Sequence, residues 1–391
     1  ALGLTGVAQE KEDHLTFGGA VRFNIFDKSW VDDATQPEAT FDTWRLNVDA
    51  RTAGVDLSFE YRFYPTGDYH FIHHGYLGYG FTDNLYMKLG VTQVPFGVLT
   101  FASHSYFFQI PYYVGLEDDY DMGVDFNYTG IDNLKLNFAY FRQPEFNGAA
   151  RHGLDKNASR YSYDITPIAP TYKEETLTTN EGTEVTVKTD EIVNPGASIR
   201  ESNQFNLRAA YNITDNIEVG VSGQLGEIYN DTLKTAEWST AFAGHIEANF
   251  GNFNFKGEYI HYNYAAKDNL GNTLDKVQMG AYGSNYNVAA EANMYVAGLA
   301  YSIPVNWGPI SNVQAYVDYS IIDKAAAGFE STHHLVPGFL LTAGSIYTYV
   351  DYAMGKNNAW FGADTWTNGL AEGDANANWE KRFNINIGYY F

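Results

Sequence analysis

Apolar and polar residues alternate along most of this 391-residue chain, with the period of two that is typical of β-strands. The clearest case places Phe383, Ile385, Ile387, Tyr389 and Phe391 at every second position. In a soluble sheet such an apolar face needs a packed core. In a transmembrane barrel the apolar face contacts lipid, and the polar face lines water.

Segments of this kind recur about sixteen times and predict an all-β fold, a transmembrane antiparallel β-barrel with an even strand number. We expect residues 1–391 to form this barrel as a single domain. Short Asx-containing tetrapeptides at positions 82–85, 131–134, 214–217 and 310–313 predict tight turns. Because longer loops alternate with them, we expect short periplasmic turns, long extracellular loops and both termini in the periplasm.

Composition agrees with a barrel and narrows the class. The chain is 16% aromatic, has no Cys and has a mean hydropathy of −0.32, and no apolar run approaches the roughly 18 residues of a membrane helix. A net charge of −23 excludes nucleic acid as a partner. We expect a bacterial outer-membrane location, with lipid and lipopolysaccharide around the barrel. Residues 1–8 end in a small-residue pattern, which we interpret as a mature N-terminus after signal-peptide cleavage.

Two long segments interrupt the alternation. Residues 94–120 are too long for a plain connection and are unusually aromatic, with Phe101, Tyr106, Tyr112 and Tyr113 among them. We expect this third extracellular loop to fold inward and to narrow the lumen as a constriction loop. Residues 145–201 are polar and predict a long extracellular loop, with a small hairpin arm near 184–188.

Arginines recur at inward positions of the predicted strands and form a candidate basic pore wall: Arg22, Arg45, Arg51, Arg62, Arg208 and Arg382. Guanidinium groups stay charged and donate several hydrogen bonds to anions, and anion pores use rings of such residues. In the alternative interpretation, the inward acids Asp49, Asp56 and Glu60 neutralise the arginines, which then only stiffen the wall.

Four carboxylates follow the aromatic part of the same loop: Glu117, Asp118, Asp119 and Asp121. They predict the acidic side of a constriction that faces the arginines. The alternatives are a solvated acidic turn and a Ca²⁺ site, because Ca²⁺ takes oxygen ligands. No other cofactor or metal is predicted. The adjacent His pairs at 73–74 and 333–334 should point to opposite faces and chelate poorly. No catalytic motif is present, so an enzyme is not expected.

Two short motifs add a family resemblance. The Val-Pro-Phe-Gly sequence at 94–97 and the Asp-Tyr-Ala-Met-Gly-Lys-Asn sequence at 351–357 resemble segments of the phosphate-selective porin O/P family. The resemblance implies a trimeric, sixteen-stranded porin with an arginine-lined path for anions. Residues 94–120 contain no Lys or Arg, unlike that family's dense basic sites, so phosphate selectivity is not carried over.

These observations predict an outer-membrane porin for passive diffusion of small hydrophilic solutes and ions. One alternative is a substrate-specific channel for sugars, oligosaccharides or anions such as phosphate. A second is a surface adhesin or scaffold that binds through residues 145–201. We expect weak ion selectivity with a modest preference for cations, because the chain is acidic overall.

Overall fold

The computed structural model describes residues 12–32, 34–150, 155–181, 183–362 and 365–391; the predicted mature N-terminus lies outside them. Sixteen long antiparallel strands form one closed sheet. They are β1 (His14–Lys28), β2 (Glu38–Thr52), β3 (Val55–Tyr64), β4 (Tyr69–Thr82), β5 (Leu85–Gln93), β6 (Tyr120–Ile131), β7 (Leu134–Pro144), β8 (Ile199–Thr214), β9 (Ile217–Asn230), β10 (Thr235–Phe250), β11 (Phe253–Asn263), β12 (Glu291–Trp307), β13 (Ile310–Lys324), β14 (Thr332–Ala343), β15 (Ile346–Lys356) and β16 (Glu380–Tyr390). β1 pairs with both β2 and β16, which closes the barrel. The predicted fold class is confirmed.

The alternating pattern places apolar side chains on the outside of this barrel. On β8, Leu207 is 59% exposed, whereas the next residue, Arg208, is 3% exposed. The same contrast recurs around the barrel and leaves an outward apolar belt, which lipid can cover. The longest α-helix in the described ranges is α1 (Ile110–Tyr113). None of the helices in those ranges has both the length and the apolar character needed to cross a membrane.

Short connections lie at one end of the barrel, and three of the four predicted tight turns are found there, at 82–85, 131–134 and 214–217. The fourth prediction is wrong by a few residues, because 310–313 already belongs to β13. The turn itself is formed by Gly308 and Pro309, between the paired residues Trp307 and Ile310. Gly308 has a φ of 60°, a conformation that glycine adopts without steric cost.

The position of the segment 145–201 differs in part from the expected one. An exposed hairpin of Thr171–Thr178 and Glu184–Asn194 contains the predicted arm. Residues 158–166, however, are buried. The two-residue strand Asp164–Ile165 pairs with Lys276–Ala281, which pairs in turn with Ser284–Ala289. The expectation that the whole segment lies outside is therefore wrong.

An apolar core occupies the barrel interior at the long-loop end. Wall residues such as Phe141 and Tyr262 belong to the same buried cluster as Tyr113, Tyr163 and Met279, which come from three different connecting segments. Aromatic side chains in the loops thus replace the water that would otherwise fill this end, and their burial stabilises the inward position of the segments.

Candidate functional site

The segment 94–120 is anchored to the wall by a buried carboxylate on β13. Asp318 accepts hydrogen bonds from the Ser103 hydroxyl at 2.9 Å and from the backbone N–H groups of His104 at 2.6 Å and Ser105 at 2.9 Å. The His104 ring nitrogen lies 2.8 Å from the other carboxylate oxygen. Hydrogen bonds to an ionised group are stronger than those between neutral groups, so this contact holds the centre of the segment firmly.

Further contacts tie the start of the segment to β8 and β9. The Arg208 guanidinium donates to the Gly97 carbonyl at 2.8 Å, and the Gly97 N–H donates to the Ser222 hydroxyl at 3.1 Å. Gly97 has a φ of 61°, and an added Cβ would lie 2.0 Å from a Glu258 oxygen. Glycine at the end of the Val-Pro-Phe-Gly motif is therefore favoured by both conformation and space.

Tyr106 reaches a different part of the wall, formed by β1 and β2. Its hydroxyl donates to Asp42 at 3.2 Å and accepts from the Asn24 amide at 3.2 Å. The Arg22 guanidinium lies 5.5 Å from the centre of the Tyr106 ring. Residues 94–120 therefore extend across the interior from β8, β9 and β13 to β1 and β2.

A cavity of about 440 Å³ borders this segment, and both arginines and aromatic rings line it. Nine of the residues singled out from the sequence line it together: Arg22, Arg45, Arg62, Arg382, Phe101, Tyr106, Tyr112, Tyr113 and Asp118. Tyr161, Tyr163, Tyr282 and Trp360, which sequence reasoning did not nominate, line it as well.

Each arginine of the cavity has a partner that offsets its burial. Arg22 pairs with Asp42 at 2.8 Å. Arg62 forms a short ion pair with Glu60, which also lies 3.8 Å from Arg45. These contacts support the alternative in which inward carboxylates neutralise the wall, although they leave the guanidinium groups at the cavity surface.

Arg382 is held mainly by rings: its guanidinium lies 4.3 Å from the centre of the Phe26 ring and 5.1 Å from that of Phe107. Such cation–π contacts stabilise a guanidinium without neutralising it.

The sequence analysis did not nominate Asp42, the partner of Arg22, because strict alternation points its side chain outward. A bulge in the pairing of β1 with β2, between Arg22 and Phe23, turns it inward.

Two arginines expected in the same wall lie elsewhere. Arg51 pairs with Asp56 at 2.6 Å near the short turns. Arg208 is held between Glu218, at 3.0 Å, and the Gly97 carbonyl. The wall at the cavity thus consists of Arg22, Arg45, Arg62 and Arg382, which we call the arginine column.

The four loop acids point in three directions, so the predicted single acidic face does not form. Asp118 lines the cavity and accepts from the Tyr161 hydroxyl at 2.5 Å. Burial raises the pKa of Asp118 to about 6, and the Tyr161 hydrogen bond and the Arg62 charge limit the rise. Glu117 instead accepts from the Ala102 N–H at 2.5 Å. Burial, together with the nearby Glu258 carboxylate, raises the pKa of Glu117 well above its usual value.

Asp119 and Asp121 point in a third direction, into a buried region outside the lining of the cavity. Their carboxylates meet that of Asp164, and ligand atoms of all three lie within 4.8 Å of one another. Glu145 and Glu201 add negative charge to the same buried region. Burial and the Asp164 charge raise the pKa values of Asp119 and Glu145.

The His73–His74 pair also differs from expectation. His73 has no partner in the register of β3 with β4, because a bulge follows Glu60. The two Nδ1 atoms consequently lie 2.8 Å apart, and the pair groups with Glu60. The Arg45 and Arg62 guanidinium groups beside Glu60 oppose a further cation at this position.

The closed sixteen-strand sheet, its outward apolar belt and an interior crossed by a connecting segment together define the architecture of an outer-membrane porin barrel. No family model matches the chain, and no curated protein matches it.

Solved structures do match over nearly the whole length. OmpT of Vibrio cholerae in its trimer form has a TM-score of 0.57 and 14% identity, covering 97% of this chain and 100% of that chain. The anion-selective porin from Comamonas acidovorans has a TM-score of 0.58 and 12% identity, with 97% and 100% covered. Salmonella typhi OmpF in complex with daunomycin has a TM-score of 0.58 and 9% identity, with 97% and 98% covered. At these identities the likeness establishes the fold.

Proposed function

We propose that this protein is an outer-membrane porin through which small hydrophilic solutes and ions diffuse passively. The observation that carries the proposal is the segment 94–120, which crosses the barrel interior and borders a polar cavity. In this proposal the segment narrows the lumen, the apolar belt faces lipid and lipopolysaccharide, and the short turns and both termini face the periplasm.

The cavity favours anions over cations, in contrast to the modest cation preference expected from the acidic composition. Four guanidinium groups line it, whereas Asp118 and Asp42 are the carboxylate residues among its lining in the described part of the chain. Only charges within a Debye length of the permeating ion, about 10 Å at 0.1 M salt, influence it strongly. Glu60 lies within this distance and is engaged by Arg62 and Arg45, whereas acids farther from the cavity have little weight.

A second candidate function is a preference for organic anions that carry a ring. The arginine column supplies donors for a carboxylate or phosphate, and the aromatic rings of the same cavity supply an apolar surface. Sugar stacking has less support, because the Tyr112 ring already stacks on Phe108 with centroids 4.2 Å apart and its hydroxyl bonds Tyr282 at 2.6 Å.

Single-channel recording in planar bilayers tests these functions. A porin should give stepwise ion conductance with a reversal potential shifted towards anions in a salt gradient. Benzoate should reduce the conductance more than phosphate or maltotriose if the ring-anion preference holds, and equal effects would leave only passive diffusion. Protein that is folded and inserted but does not conduct would contradict the porin proposal and favour a scaffold.

We also propose a homotrimer, which the sixteen-strand architecture and the trimer form of the similar Vibrio cholerae structure support. Native mass spectrometry in mild detergent should show three copies. A monomer at all protein concentrations would contradict this proposal and leave the conductance prediction intact.

A further inference from the structure

Five carboxylates are gathered inside the barrel, outside the lining of the cavity that the arginine column borders. They form what we call the acid cluster: Asp119, Asp121, Glu145, Asp164 and Glu201. Asp119 ends the segment 94–120, Asp121 lies on β6, and Glu201 lies on β8. Glu145 and Asp164 belong to the long segment between β7 and β8. Residues far apart in the sequence thus converge on one buried place.

Four acids of this cluster each have one carboxylate oxygen without a hydrogen-bond partner among the described residues. In Asp121, Glu145 and Asp164 the other oxygen is held by a donor. The Asp121 carboxylate accepts from the Gln204 amide at 3.2 Å, and Glu145 accepts from the Ser162 hydroxyl at 2.8 Å. The opposite oxygens of both residues, and one oxygen each of Asp119 and Asp164, find no hydrogen-bond partner among the residues that the structure describes.

These unpartnered oxygens are sealed from water. The exposed fractions are 4% for Asp119, 2% for Asp121, 2% for Glu145 and 1% for Asp164. A buried carboxylate oxygen without a donor costs free energy, and several such groups side by side also repel one another. The arrangement is therefore unfavourable unless a cation or protons offset it.

The cation that the described residues provide at this cluster does not balance its charge. Arg160 donates to Asp164 at 2.9 Å and to Asn147 at 3.1 Å. Within the described ranges this one guanidinium is set against five carboxylates, and it engages the Asp164 oxygen that is not among the unpartnered ones. Arg160 thereby orients Asp164 and leaves its other oxygen available.

We propose that the acid cluster is a Ca²⁺ site, with Asp119, Asp121, Glu145 and Asp164 as ligands and Glu201 as a nearby neutralising charge. The donor set consists of carboxylate oxygens, which Ca²⁺ prefers, and Ca²⁺ accepts six to eight such ligands in flexible geometry. The bound ion links the end of segment 94–120 and the long segment after β7 to the wall strand β6. This goes beyond channel function, and it relocates the predicted calcium site, because Glu117 and Asp118 point elsewhere.

Calorimetric titration of the folded protein in detergent, after exhaustive chelation, tests the site with CaCl₂ as the probe. Wild-type protein should bind Ca²⁺ with measurable heat, and its melting temperature should rise with Ca²⁺ concentration, since ligand binding to the folded state stabilises it. Loss of a group that only hydrogen-bonds to a metal ligand already weakens metal binding by about tenfold to 100-fold, so Asp119→Asn and Asp164→Asn should weaken it by about tenfold or more.

The matched control is Asp118→Asn, which changes the adjacent loop acid that faces the cavity and should lower Ca²⁺ affinity much less than either ligand variant. The melting temperature of Asp119→Asn, measured with and without Ca²⁺, gives a second readout. A carboxylate with a purely structural role would not make this melting temperature depend on Ca²⁺ in the way that a ligand does. In chelator the variant should melt above wild type, because the new amide can donate to a neighbouring carboxylate oxygen that lacks a partner among the described residues, and in millimolar Ca²⁺ it should melt below wild type.

Three outcomes would overturn the proposal: no heat and no change in melting temperature for wild type, unchanged Ca²⁺ affinity in both ligand variants, or an equal loss in Asp118→Asn. The wild-type measurement stands even if a variant fails to fold. Because no step involves ion conduction, failure of the calcium site and failure of the porin proposal remain distinguishable.

Discussion

The arginine column and the acid cluster are two buried sets of like charges inside one barrel, and the structure treats them differently. Arg22 and Arg62 are paired with carboxylates, Arg382 lies between aromatic rings, and all three border a cavity. The acid cluster lies in sealed surroundings, and four of its oxygens have no partner among the described residues. Whether a buried charge faces the cavity or is sealed away from it therefore decides whether that charge can act on a molecule in the cavity.

This difference explains why a chain of net charge −23 can present a basic surface to its cavity. Buried carboxylates that share a cation or a proton contribute little field to the lumen, and exposed loop acids are screened by salt. The arginine column lines the cavity and is only partly offset by Asp42 and Glu60. Net charge is therefore a poor guide to ion preference in a barrel with packed loops.

The largest effect should come from removing the aromatic part of the segment 94–120, which borders the arginine column. Replacing 101–113 with a short Gly-Ser linker removes six aromatic side chains from the cavity lining and the contact with Asp318. Single-channel conductance should rise severalfold, because the crossing segment no longer fills the lumen, while residues 119–121 of the acid cluster remain.

Deletion of the exposed hairpin at 171–194 is the matched control and should leave conductance unchanged. If the 101–113 deletion folds and conducts like wild type, the segment does not limit the path. If the hairpin deletion raises conductance to the same extent, loop length alone is responsible.

The strands and the inward arginines were predictable because the period of two is local, and each residue's face follows from its neighbours. The positions of Asp42 and His73 were not, because each depends on a bulge between two strands. A bulge is a property of pairing and is not visible in one segment alone.

The acid cluster depends on contacts between distant segments. Asp119 and Asp121 were visible as an acidic run, but Asp164 lies in a segment that its polar composition placed outside. A signal was present, since Tyr161, Tyr163 and Ile165 alternate beside Asp164 and all three are buried. Short apolar alternation within a long polar loop thus predicts a part of the loop that folds back.

The next largest effect concerns the arginine column. The double change Arg45→Gln and Arg62→Gln removes two positive charges and frees Glu60 from both partners. A unit charge about 7 Å from an ion changes its energy by about 0.6 kcal/mol in water, or about threefold in occupancy per charge.

The reversal potential in a KCl gradient should therefore move clearly towards cations. A matched change on the exposed surface, Arg200→Gln, should not move it, because Arg200 pairs with Asp231 outside the cavity. An unchanged reversal potential in a folded double variant would place the ion path away from the arginine column.

A smaller effect on the reversal potential is expected from the loop acids, and it should differ between the adjacent residues Glu117 and Asp118. Asp118→Asn removes one negative charge from the cavity lining and should shift the reversal potential towards anions by about threefold in permeability ratio or less. Glu117→Gln should cause no shift, because Glu117 is not among the residues that line the cavity and its carboxylate accepts from the Ala102 N–H within the loop. Equal shifts in both variants would mean that Glu117 is charged and faces the lumen.

The smallest effect should come from Arg51, which sequence patterning placed in the basic wall. Arg51 pairs with Asp56 at 2.6 Å, and Asp56 also accepts from the Tyr86 hydroxyl at 3.0 Å, so Arg51→Gln leaves the carboxylate with a donor. Because both side chains are partly accessible to solvent, loss of the pair should lower the free energy of unfolding by about 1 kcal/mol or less. The reversal potential should stay close to that of wild type, since Arg51 lies near the short turns. A shift as large as that of Arg45→Gln alone would place the narrowest level at the short-turn end and not beside the segment 94–120.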